Sequence, residues 1–135
     1  MKVLALDIGD VRIGLATSDS LGIIASGYET YTRQDEIADI LYLKNFIEKN
    51  AIELVVIGLP INMDGTHGER VNIVKKFANK LLEQISIEVV FQDERLTTVQ
   101  AERMLINHGV RREKRKQIID KVAATIILQA YLDAK

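Results

Sequence analysis

The chain has 135 residues, 47% of them hydrophobic and 27% charged, with a formal net charge of −1, one proline and no cysteine. That composition excludes a disordered or fibrous chain, a disulfide framework, thiol catalysis and zinc–thiolate centres, and it leaves oxygen ligands for any metal. A near-neutral molecule does not attract polyanions as a whole, so contact with nucleic acid has to come from a local patch.

The length fits one domain over residues 1–135, large enough to bury a continuous core. No apolar stretch reaches the roughly 20 residues of a membrane span, and the first residues enter a strand rather than a signal-like segment, so a cytoplasmic protein without membrane contact is expected. Residues 2–8 are nearly all aliphatic, Gly9 and Asp10 suit a tight turn, and "RIGLATSD" reads as the returning strand of a hairpin. "GIIASGYET" gives a third strand. Thr32 with Asp35 three residues later reads as the capping-box start of a helix, whose apolar face is expected to hold Ile37, Ile40, Leu41 and Ile47. "ELVVIGLP" is short, continuous and rich in Val and Ile, as in a central strand buried on both sides, and Pro60 ends it.

The loop "INMDGTHGER" has turn chemistry at Asp64-Gly65 and leads into a helix with Val74, Phe77, Ala78, Leu81, Leu82 and Ile85 at helical spacing. "IEVVFQ" is the next strand, and Thr97 with Gln100 opens another helix that closes near Gly109. "VRREKRK" reads as a short basic loop, followed by a long helix from about Gln117 to Ala134. Three strands, helix, strand, helix, strand and two helices require right-handed crossovers with parallel pairing beside the antiparallel hairpins. The fold class is therefore α/β, with a mixed five-stranded sheet flanked by helices.

Asp7 ends the first aliphatic strand, where an unpartnered charge is costly, and Glu94 follows the strand "IEVVFQ" within "QDERLTT". Parallel strands bring such C-terminal ends to one edge, where these folds place ligands. Asp120 falls at the rim of the last helix's apolar face, aligned with Ile127 at about 100° per residue, and the neighbouring Ala123 and Ala124 let that helix approach the strands closely. Three carboxylates about 4 Å apart repel by roughly 1–4 kcal/mol per pair. A divalent Mg2+ or Mn2+ ion reverses that sign, and two such ions can activate water and stabilise a leaving oxygen in phosphodiester hydrolysis. Taken singly, each acid also has a structural reading: Asp7 as turn chemistry, Glu94 paired with Arg95 or capping at Thr97, and Asp120 beside Lys116 or Lys121.

Four segments, "LALDIGDVRIGLA", "VVIGLPINMDGTHGERV", "FQDERLTTVQAERML" and "IDKVAATIILQAYLD", resemble in order and spacing the signature segments of the YqgF/RuvX family, across nearly the whole chain. The resemblance implies a ribonuclease H-like fold. It also implies a metal-dependent nuclease of the 5′ end of precursor 16S ribosomal RNA or, alternatively, a Holliday-junction resolvase acting on branched DNA. By the same resemblance the acidic triad is Asp7, Glu94 and Asp120, with Lys121 adding a charge beside the third acid.

In support, Arg111, Arg112, Lys114, Arg115 and Lys116 form a basic run suited to gripping phosphates, with no aromatic interleaved for base stacking. Arg12 and Arg95 each can hold a phosphate or orient a carboxylate, and Asn62 and Asp64 lie in a loop facing the same edge. His67 and His108 lack metal-ligand spacing and receive no role. Resolving a junction takes two symmetric cuts and hence a homodimer, whereas trimming an RNA end needs one site, so monomer and homodimer both stay open. The competing classes are a nucleotide phosphotransferase related to actin and the sugar kinases, against which the length argues, and a non-catalytic RNA-binding assembly factor.

Overall fold

The computed structural model describes residues 1–134, and of residues 27, 28, 96–98, 120 and 121 it describes the backbone alone. The elements run β1 (Val3–Ile8), β2 (Arg12–Ser18), β3 (Ala25–Thr32), α1 (Glu36–Lys49), β4 (Leu54–Leu59), α2 (Glu69–Leu82), β5 (Glu88–Asp93), α3 (Arg95–Asn107) and α4 (Arg112–Asp133). One sheet has the order β3-β2-β1-β4-β5. The β1–β2 and β2–β3 pairs are antiparallel and the β1–β4 and β4–β5 pairs parallel, so the expected mixed sheet forms.

β1 and β4 occupy the centre, which explains their unbroken aliphatic runs: side chains on both faces are buried, and alternation would expose polar groups to a core. One face carries Leu4, Leu6, Ile13, Leu15, Val55 and Ile57 against α1 and α2. The other carries Val3, Ala5, Ala16, Leu54 and Val56 against Ala124, Ile127 and Leu128 of α4. Because strand side chains alternate, Asp7 follows Val3 and Ala5 onto the α4 face.

Several helix boundaries differ from the sequence reading. α1 starts later than Thr32 suggests: Asp35 is the N-cap, its carboxylate accepting from the Ala38 amide at 2.8 Å. Its core face is Ile40, Leu43 and Ile47, whereas Ile37 is 83% exposed and Leu41 55% exposed. The α1 axis therefore sits about one residue around from the stripe the apolar spacing suggested, and Leu43 replaces Leu41 inside. Leu82 in α2 is likewise outside the core, one helical step around from the buried stripe of Val74, Phe77, Ala78 and Leu81. α3 begins at Arg95, directly after β5, with Glu94 at its N-cap rather than Thr97, whose side chain lies outside the described residues. Gly109 takes a left-handed φ of 76° just beyond α3, the expected stop. The basic run is no loop: α4 already begins at Arg112, because good helix formers and the absence of Gly or Pro carry the helix back through it.

Candidate active site

The parallel strands β1, β4 and β5 end at one edge, and Asp7 and Glu94 meet there. Asp7 pairs with Gly14 of β2. On its other side, the parallel register Leu6 to Ile57 continues toward Gly58 of β4. Glycine on both neighbouring strands leaves room beside Asp7 for groups from other elements. At Gly58 that space is used: a Cβ there would run into the Glu94 carboxylate and the Ile127 side chain. At Gly14 a Cβ would rest 3.6 Å from the Asp7 Cβ and 3.5 Å from the Ala124 Cβ, so the expected close approach of α4 to the strands through Ala124 is present.

The electrostatics carry the mark of crowding. Burial first, then the charges of Asp7 and of Asp93, push the Glu94 carboxyl up to about 7 from an ordinary 4.5, and the Arg70 guanidinium opposes the rise. Two acids remote in sequence thus feel each other in a low-dielectric pocket. Arg95 does not pair with Glu94: its guanidinium is held by Asp93, with Nη2 to Oδ2 at 2.7 Å and Nε to Oδ1 and Oδ2 at 3.1 and 3.0 Å. Its Nη1 also donates to the Asn62 carbonyl at 3.3 Å, tying the loop after β4 to the end of β5. Asn62 shapes that loop, its side-chain amide donating to Thr66 Oγ1 at 2.9 Å, and Asp64 accepts from the Thr66 amide at 2.9 Å. The Thr66 hydroxyl, donating to Asp64 Oδ1 at 2.6 Å, and then the Thr66 amide hold the Asp64 carboxyl below the usual range.

Asp120 lies in α4, and its side chain is outside the described residues. Among the described residues no group of three His, Asp or Glu side chains forms a metal-binding set. A groove leads away from Asp7 between the β2–β3 hairpin and α4, lined also by Arg12, Gly14, Thr30 and Gln117. The basic run is spread by its helix. At about 100° per residue only Lys114 shares the Gln117 stripe, and Arg115 faces the other way. Its Nη1 donates to the Val110 carbonyl at 2.8 Å and its Nε lies 3.9 Å from Glu102 of α3, so Arg115 braces the junction of α3 and α4. Arg111, Arg112, Lys114 and Lys116 are exposed.

Three residues that sequence reasoning missed surround the turn after Asp7. The Arg33 guanidinium donates to the Gly9 carbonyl, and that of Arg70 donates to the Ile8 carbonyl and the Asp10 carboxylate. Asp39, fully buried, holds Arg33. Only the fold brings them to the turn from positions 33, 39 and 70, so no local motif signals them.

Residues 1–134 match the RuvX family, described as Holliday junction resolvase. The chain belongs to the RuvX family. A protein of Carboxydothermus hydrogenoformans, named "Putative pre-16S rRNA nuclease", is 48% identical over 135 residues, covering 100% of this chain and 98% of its own length. A relative of the same name from Caldanaerobacter subterraneus is 50% identical over 136 residues with the same coverage of each. Among solved structures, Thermus thermophilus RuvC in complex with a Holliday junction substrate superposes with a TM-score of 0.62 at 13% identity, over 99% of this chain and 94% of that one. The Fowlpox virus resolvase, also solved with Holliday junction DNA, gives 0.55 at 8% identity, over 99% and 98%. At those identities the likeness speaks for the fold, and it is the resolvase-type ribonuclease H-like fold expected of a RuvX-family chain.

Proposed function

We propose that this RuvX-family protein is a divalent-metal-dependent phosphodiester hydrolase that processes the 5′ end of precursor 16S ribosomal RNA in the cytoplasm, with residues 1–135 working as a single nuclease domain. The observation that carries the reading is the apposition of Asp7 and Glu94 at the parallel edge of the sheet, close enough that the Asp7 charge raises the Glu94 carboxyl. Carboxylate oxygens in a chain without cysteine suit a hard cation such as Mg2+ or Mn2+. Asp7 and Glu94 would hold it, with Asp120 as the third acid from α4. When bound, the ion supplies charge stabilisation for the phosphoryl oxygens and lowers the pKa of an attacking water.

The chain's own residues do the remainder. Gly58 makes room for the Glu94 carboxylate beside Asp7, and the groove from Asp7 toward Thr30 and Gln117 gives a phosphodiester strand a path. Arg12 contacts a phosphate along that path, and Lys114, with Arg111, Arg112 and Lys116, extends the electropositive track along the start of α4. Asn62 borders the site from the loop after β4 and Arg95 from the start of α3. Such contacts position a sugar–phosphate backbone and do not read bases. The names of the relatives favour the RNA reading. The family description favours a second one, resolution of a four-way DNA junction, which would need the paired sites of a homodimer where RNA trimming needs one site.

The test is a side-by-side assay of a precursor 16S leader and a four-way DNA junction with Mg2+ or Mn2+. Cleavage of the leader by the wild-type protein and none by Asp7→Asn is expected. Preferential cutting of the junction would transfer the assignment to the second reading, and no metal-dependent cleavage of either would overturn both.

A further inference from the structure

The turn that follows Asp7 is held from behind by two guanidiniums on separate elements. Arg33, just after β3, donates through Nη1 to the Gly9 carbonyl at 2.9 Å, and its own amide donates to the Val11 carbonyl at 2.8 Å. Arg70, in the first turn of α2, donates through Nη2 to the Ile8 carbonyl at 3.1 Å, and its Nη1 takes the Asp10 carboxylate. Inside the turn, the Gly9 amide donates to the Arg12 carbonyl at 2.9 Å, and a Cβ on Gly9 would come within 2.7 Å of that same oxygen. Every residue from Ile8 to Val11 is thus fixed by a bond to Arg33 or Arg70. These bonds lie on the α1–α2 side of the sheet, opposite the face onto which Asp7 projects.

Arg33 is itself fixed. Its Nε donates to Asp39 Oδ2 at 2.9 Å, and its guanidinium lies 5.1 Å from the centre of the Phe77 ring of α2. Asp39, 0% exposed, also accepts from the Tyr31 hydroxyl and the Gln34 amide, both at 2.9 Å. A charge pair this deep is costly to bury, and removing either partner leaves the other uncompensated.

We propose that Arg33 and Arg70 form a positioning clamp, which holds the backbone at the end of β1 so that the Asp7 carboxylate stays apposed to Glu94 against their mutual repulsion. The clamp rests on the nuclease reading above for its purpose, but its mechanics are separable from it. As a clamp, both arginines act through the Ile8 and Gly9 carbonyls just beyond Asp7, separately from the effect of the Arg70 charge on Glu94, and misplacing a catalytic group by about 1 Å can cost on the order of 100-fold in rate.

Arg70 is the tractable partner, its side chain being 40% exposed, whereas removing Arg33 would strand a buried carboxylate. In the full-length protein, Arg70→Gln is expected to lower kcat about 10- to 100-fold with KM changed less than about twofold, and to speed hydrogen exchange at the Gly9 amide. Arg70→Lys, which keeps the charge but not the two-pronged donor, should recover part of kcat. Asp10→Asn, which removes the carboxylate but leaves the Ile8 and Gly9 carbonyl bonds, should retain kcat within about threefold. Arg70→Gln with kcat and Gly9 exchange both at wild-type values overturns the clamp. A loss of thermal stability with kcat unchanged also overturns it, since that marks a merely structural arginine. If the wild-type protein cleaves nothing, the nuclease reading fails, and the Gly9 exchange rates of wild type and Arg70→Gln still decide whether the clamp exists.

Discussion

Replacing Glu94 with Gln makes an unusual forecast: damaging the site should stabilise the metal-free protein. The Glu94 carboxyl is raised to about 7 from an ordinary 4.5, chiefly by burial and then by Asp7. A carboxyl whose pKa is higher in the fold than in the unfolded chain costs nothing below the unfolded value, and stability is lost as pH rises through the folded value. The full shift corresponds to roughly 3 kcal/mol, and the residual solvent contact of Glu94 reduces it to about 1–3 kcal/mol. In chelator near pH 8, Glu94→Gln should therefore melt several degrees above wild type, at about 3–5 °C per kcal/mol for a chain of this size. Near pH 4.5 the two should converge. Adding Mn2+ or Mg2+ near pH 8 should reverse the order, because an ion at 100 times its Kd contributes about 2.7 kcal/mol to wild type and little to the variant. The assay is thermal unfolding by circular dichroism in chelator and in metal. A variant no more stable than wild type in chelator near pH 8, or equal stabilisation of both proteins by metal, would refute the reasoning.

Gly58→Ala puts a methyl group where the Glu94 carboxylate and Ile127 lie, so it should cost about 1–3 kcal/mol of stability and most of the cleavage activity, read by unfolding and by rate on one sample. Asp39→Ala leaves Arg33 without its buried partner and should destabilise by about 3–5 kcal/mol in a denaturant titration. Burial alone would push the Asp39 carboxyl up, but hydrogen bonds from Gln34, Arg33 and Tyr31 outweigh it and hold the group below the usual range. Its contribution is therefore present above about pH 4 and lost on further acidification, and Asp39→Asn should show a shallower acid-side slope of stability than wild type. Changing Arg111, Lys114 and Lys116 together to Ala should weaken nucleic-acid binding and flatten the log–log salt dependence by about 0.9 for each phosphate no longer neutralised, up to about 2.7, whereas Arg115→Ala should act on stability instead.

How much of this could be read beforehand varied with the range of the physics involved. The central strands β1 and β4 were plain because a strand covered on both faces is aliphatic throughout, as "LVVIGL" is. Asp7 stood out as a charge ending such a strand, and the parallel edge predicted its meeting with Glu94. Helix boundaries were less legible. The Thr32–Asp35 spacing mimics a capping box, yet the residue whose backbone is extended at the helix entry is Asp35. In the basic run, charge density suggested a loop, although nothing in it breaks a helix. Ile37 and Leu41 fit an apolar stripe by spacing, but the face actually buried was chosen by the sheet, which no period along α1 encodes. Least legible were Arg33, Asp39 and Arg70, whose roles exist only because β3, α1 and α2 converge behind one turn.

The central claim is that Asp7 and Glu94 share a divalent cation. Crystals soaked in manganese and measured for anomalous scattering test it most directly. The account predicts a peak about 2.0–2.3 Å from carboxylate oxygens of both Asp7 and Glu94. A well-ordered site with no peak between the two acids, at manganese concentrations that support cleavage, would contradict it.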